Sequence, residues 1–148
     1  MMEAILKFLA LLSAGIFTGS AFYLTTVEHP ARMSLGVEDA LQQFRSSYKR
    51  AAPQQATLAI VCFLSSAAVA LLTRDWLWLL GGSLVGAVVP FTLLFIMPTN
   101  RLLLDEADEL EIELERARLA KWARLHAMRT VLSLLGFLVL VWECVALR

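Results

Sequence analysis

Apolar residues run along this chain in four long blocks separated by polar punctuation. The first spans about Ala4 to Val27, with Lys7 as its one charge. The second, about Ala51 to Thr73, and the third, Trp76 to Asn100, carry none. The fourth, about Ala127 to Leu147, has Arg129 near its start and Glu143 near its end. Each approaches the ~20 apolar residues with which a helix crosses a ~30 Å hydrocarbon layer. Helix is the required form, because a lone strand in lipid leaves its backbone groups unpaired. The pattern predicts an all-α fold: a four-transmembrane-helix bundle, up-down-up-down, forming a single membrane domain over residues 1–148. No clean small-residue cleavage site follows the first block, so it reads as a span rather than a leader.

The links between blocks differ. Thr73-Arg74-Asp75 alone joins the second to the third, a tight antiparallel hairpin. Before the second block, Glu38 to Lys49 is expected as a short surface helix. Between the third and fourth lies LLLDEADELEIELERARLAKWARLH, acids first and bases last, the order that complements a helix dipole. Glu113 with Arg116, and Glu115 with Arg118, stand at i,i+3. An amphipathic charged helix over about 103–121 follows, with a solvated face as its plain reading and a docking surface as its second. Gly15 and Gly19, and Gly82 and Gly86, are each four apart, a spacing that lets helix backbones approach closely. They serve packing within the bundle or between copies, so a homo-oligomer stays open. Pro90 should kink the third span. Lys7 and Glu143 fall at similar depth near one membrane face, either as an ion pair or snorkelling separately to the headgroups.

Composition agrees with a lipid environment. Hydrophobic residues make up 59% of the 148 and charged residues 18%. A chain this small has too little interior to hide that much apolar surface from water. Net charge is zero, which argues against a nucleic-acid partner and its need for a basic face. Ten Lys and Arg fall in or beside the first and third connections and three (Lys7, Arg74 and Arg148) on the other side, accounting for all 13. The positive-inside rule then makes this an integral, multi-pass membrane protein with both long connections cytoplasmic and both termini outside. Cys62 and Cys144 sit in apolar runs without metal-type spacing and read as small buried hydrophobes.

Threading the chain four times brings three polar groups to one membrane face: Glu28, His29 and Arg32; Pro98, Thr99, Asn100 and Arg101; and Trp122, Arg124, His126 and Arg129. Trp122, His126 and Arg129 are spaced i, i+4, i+7 and share one helix stripe. Arg129 lies about a turn inside the apolar boundary, where a charge needs a partner; Glu28 is the obvious one, with Asn100 as a neutral donor and acceptor. These residues make either an interfacial belt of headgroup anchors or a polar pocket with apolar walls. A pocket would suit a hydrophobic aromatic small molecule bearing phenol or carbonyl groups. His29 or His126 could move a proton there, while Arg129 or Asn100 stabilised a developing oxyanion. Glu28, Arg32 and Trp122 would bind substrate. A metal held by His29, His126 and Glu28 is the weaker alternative, since no HxxH or HExxH spacing backs it. Haem is similarly open, and the cofactor is left unassigned or absent.

Three motifs on these residues resemble one family. They are G-x-F-x-G…Y-x-x-x-x-E-H-P-A-R from Gly15 through Tyr23 to Arg32, P-x-T-x-x-x-x-x-P-T-N from Pro90 to Asn100, and W-x-R-L-H-x-x-R-T from Trp122 to Thr130. Together they resemble the anthrone oxygenase-like family of small membrane proteins, over roughly residues 15 to 135. The resemblance implies a four-helix membrane protein. It adds Tyr23 to the substrate-facing candidates and implies an oxidoreductase that converts anthrones to anthraquinones with O₂. The first function class is therefore an oxygenase acting on an aromatic, lipid-soluble substrate. The second is a non-catalytic membrane scaffold or partner-binding subunit using the charged helix. A carrier or channel ranks last, because the middles of all four blocks are apolar.

Overall fold

The computed structural model describes residues 1–105 and 111–146. Four helices account for nearly all of them: α1 Met2–Met33, α2 Val37–Thr73, α3 Trp76–Leu104 and α4 Ile112–Ala146. All four are long and apolar enough to cross a membrane, the make-up of a multi-pass membrane protein. Each packs against its neighbours in sequence, and α4 closes the ring against α1. The all-α four-helix bundle read from the sequence is the fold.

Two helices run longer than the spans. Glu38 to Lys49 is not a separate surface helix: it is the first part of α2, which continues through Pro53 without ending. Thr57 hands its hydroxyl to the Pro53 carbonyl at 2.9 Å. On the other side of the bundle, α4 runs unbroken from the charged segment into the fourth span, and Arg118 pairs with Glu115 across one turn. The expected charged helix over 103–121 is met from Ile112 onward; residues 106–110 lie outside the described residues. At 37 and 35 residues, α2 and α4 are ~50–55 Å long, well beyond a ~30 Å layer.

The α2–α3 hairpin is closed by local chemistry. Arg74 takes the left-handed conformation at φ 62° and donates its amide to the Ala70 carbonyl at 2.9 Å, ending α2. Asp75 then caps α3, accepting from the Leu77 amide at 3.1 Å. Small residues set the close approaches beyond it. A Cβ on Gly82 would stand 2.4 Å from the Ser66 Cβ, and one on Gly136 would stand 2.7 Å from the Gly81 carbonyl oxygen. The Gly82/Gly86 pair thus seats α3 against α2. Gly15 and Gly19 do not play the matching role, since a Cβ on Gly19 would meet nothing within 4 Å. Lys7 pairs with Glu3 on its own helix at 2.6 Å rather than with Glu143.

Prolines shape the other end. Pro30 and Pro98 bring no amide hydrogen to the carbonyls four residues back. Each is preceded by a single π-helical turn, Leu24–Glu28 in α1 and Thr92–Ile96 in α3. A π turn carries one extra residue and re-aims the side chains on it. Near Pro90, α3 is interrupted at Ala87, close to the kink expected there. The buried apolar residues fall into two clusters. One holds Phe17, Cys62, Trp78, Val85 and Leu140, the other Leu41, Phe44, Leu103, Leu119 and Trp122. Polar side chains lie between them.

Candidate functional site

That polar layer is built from all four helices. Both π turns feed it: Thr25 reaches His126 and Thr130 on α4, at 3.0 and 2.9 Å, and Thr92 faces Arg129 at 3.4 Å. Apolar spacing does the rest. The Trp122, His126, Arg129 stripe on α4 turns inward as one face, and all three residues are buried. From α2, Tyr48 and Gln55 stand two turns apart on the facing side.

Tyr48, Gln55, Thr92, Trp122, His126 and Arg129 line a cavity of about 210 Å³, together with Phe17 of α1 and Asn100 of α3. Its remaining wall is aliphatic and aromatic apart from Arg32 and Ser47, a mix typical of a small-molecule site. Three lining residues carry a buried polar atom without a hydrogen-bond partner: Asn100 Oδ1, Trp122 Nε1 and Arg129 Nε. For Asn100 the identity of the free atom depends on the amide's orientation. Its other end is taken by the Tyr48 hydroxyl at 2.9 Å, so half of the amide is free either way.

Arg129 is the unusual group. It is 9% exposed, and among the described residues no carboxylate lies within ion-pair distance of it. Its partners are neutral. Nη2 donates to Gln55 Oε1 and, at 3.0 Å, to His126 Nε2; the guanidinium also lies over the Phe17 ring, 5.4 Å from its centroid. A guanidinium cannot accept, so His126 Nε2 is the acceptor in this contact. Nδ1 then carries the ring hydrogen and donates it to Thr25 Oγ1.

Arg32 has the opposite arrangement. It is 2% exposed and fully engaged. It pairs with Glu28 at 2.8 Å and donates to Gln43, to Ser47 at 3.3 Å and to His29 Nδ1 at 3.4 Å. Its guanidinium lies over the rings of Phe44 and Trp122, at 5.3 and 5.6 Å. Glu28 also accepts from Gln43 Nε2 at 3.0 Å. This knot ties the end of α1 to α2 and braces Trp122. It also corrects the expected pairing: Glu28 serves Arg32, not Arg129.

The other sequence candidates separate accordingly. His126, Arg129, Asn100, Trp122 and Arg32 reach the cavity. His29 does not line it. Its ring stands 5.3 Å from the Trp122 ring, which in turn stacks on His126 at 4.6 Å. Tyr23 is 56% exposed and does not line the cavity. Among the described residues no three His, Cys, Asp or Glu side chains gather as a metal-binding group, so His29, His126 and Glu28 do not form one. Tyr48, Gln55 and Thr92 were missing from the sequence reading. Tyr48 and Gln55 share a helix face seven residues apart, the same signal that marked Trp122 and Arg129.

The sequence model of the anthrone oxygenase family matches residues 44–139, more than half of the chain. That stretch holds every cavity residue named above on α2, α3 and α4; Glu28, His29, Arg32 and Tyr23 precede it. No curated protein and no solved structure matches.

Proposed function

The chain belongs to the anthrone oxygenase family, and from that premise we propose that the cavity binds a hydroxylated aromatic ketone and oxidises its activated CH₂ with O₂. The observation that carries the reading is Arg129: a buried cation without a carboxylate partner among the described residues, sharing a mostly apolar cavity with a half-free amide. A ligand oxygen that gains negative charge completes such a site. A phenol hydroxyl next to a ring carbonyl offers a donor or an acceptor to the free half of the Asn100 amide and acceptors for the guanidinium and the Trp122 indole.

His126 is the proton acceptor in this reading. Its Nε2 lone pair is held by Arg129. When the guanidinium turns to a ligand carbonyl, that lone pair is released beside the ring CH₂. Binding the oxygen and freeing the base become one motion. Loss of a CH₂ proton gives the enolate, its negative oxygen on Arg129. The enolate carbon gives its electron pair to O₂, and a proton completes a carbon-bound hydroperoxide. Removal of the remaining C–H proton breaks the O–O bond, leaving a carbonyl and releasing water. One O₂ is consumed per ketone formed, one oxygen atom going to product and one to water.

The ten-to-three distribution of Lys and Arg supports placing the cavity near the cytoplasmic face, with both termini outside. The test is aerobic turnover of an anthrone by the purified protein, following O₂ uptake and anthraquinone together. One-to-one stoichiometry, lost in Arg129→Gln and His126→Ala, is the expected result. Full turnover in Arg129→Gln would overturn the reading.

A further inference from the structure

A second recess, of about 310 Å³, lies on the outer seam between α2 and α3. Ile60 and Phe63 of α2 form one bank; Gly86, Ala87 and Pro90 of α3 form the other. Val89 also lines the polar cavity, so the two spaces adjoin at one side chain. On the cavity side of this seam the α2 wall is Ala51, Ala52 and Ala56, all small side chains. Ile60, Phe63 and Ala87 are exposed on the part of the bundle long and apolar enough to lie in lipid. The recess is floored where α3 is interrupted at Ala87 and where Gly86 offers no side chain.

We propose that this seam is a tail subsite: the ligand is a membrane lipid whose hydroxy-aromatic head enters the cavity laterally and whose alkyl or isoprenoid tail stays in the recess. The inference rests on the cavity reading above and narrows its substrate class. The shape argues for a chain. From Pro90 to Ser83 the recess follows α3 over a span of about seven residues, ~10 Å, with Ser83 its single polar side chain. An apolar trough on the same seam as a polar cavity, with Val89 as their common wall, matches a molecule with one polar end. It also gives a path by which a water-insoluble head reaches Arg129 without leaving the bilayer.

Two probes test this: 2-naphthol, a head alone, and 6-decyl-2-naphthol, the same head with a tail. Both are titrated by naphthol fluorescence against the full chain at one fixed detergent concentration, so that partitioning cancels in comparisons between variants. Ala87→Phe fills the recess without touching the cavity wall; Ser83→Phe fills it from the next turn and guards against one variant misfolding. The expected result is that either variant weakens the decyl probe about tenfold or more, the worth of roughly two buried methylenes, and leaves 2-naphthol within about twofold. Equal effects on both probes in folded variants, or no effect on either, would overturn the tail subsite while leaving the cavity intact. If neither probe binds the wild-type chain, the cavity reading fails and takes the inference with it.

Discussion

Replacing Arg129 with Gln should separate stability from function. The buried guanidinium makes contacts with Gln55, His126 and Thr92 and lies over Phe17. Losing two good charge-assisted hydrogen bonds costs about 1.5–3 kcal/mol each, part of which the glutamine amide recovers. Against that stands the cost of holding an arginine inside a span, about 2.5–3.5 kcal/mol, with no carboxylate among the described residues to offset it. The two nearly cancel, so Arg129→Gln should melt within a few degrees of the parent, or above it. Its effect on turnover should be large. Removing one preorganised oxyanion donor costs about 10²–10³ in rate. Arg32→Gln is the matched control. It strands Glu28 and removes a cation between two aromatic rings, toward the low end of the ~3–5 kcal/mol for breaking a buried pair, because Glu28 keeps part of its exposure. Thermal unfolding in detergent and O₂ uptake with an anthrone, run on both variants, make the comparison. An Arg129→Gln protein that unfolds before Arg32→Gln and still turns over would refute the reasoning.

The two histidines should differ as well: His126→Ala, in the cavity, loses about 10²–10⁴ of turnover if it is the base, whereas His29→Ala, behind Trp122, stays within a few-fold in the same assay. Tyr48→Phe removes the partner of the Asn100 amide and should lower stability by about 1 kcal/mol, read from the melting midpoint. Gly136→Leu drives side-chain atoms against the Gly81 carbonyl and should abolish the folded-protein peak in size-exclusion chromatography. Gly19→Ala, into open space, should leave that peak unchanged.

The sequence carried the fold because each span is a long apolar run with no competing interpretation. It carried half of the site for a similar reason: Trp122, His126 and Arg129 lie on one helix, and a single periodicity argument groups them. What it missed depended on relations between helices. Glu28 is the nearest acid to Arg129 by topology, yet Arg32 stands one turn from it on the same helix and takes the carboxylate first. His29 lies at the same end of the bundle as His126, but the Trp122 indole stands between the two rings, and only His126 lines the cavity. Gly15/Gly19 and Gly82/Gly86 look identical as spacings; which pair meets a neighbouring backbone follows from helix rotation, which spacing does not encode. Glu38 to Lys49 was set apart by its charge, though charge ends a membrane span without ending a helix.

The central claim is that Arg129 stands ready for the negative oxygen of an aromatic ligand. Mixing the purified protein with an anthrone in the absence of O₂ tests it most directly, with the absorption spectrum as readout. The red-shifted band of the enolate should appear at neutral pH with the wild-type chain and vanish in Arg129→Gln. A spectrum that stays that of the neutral ketone, or an enolate band of equal height in both proteins, would contradict it.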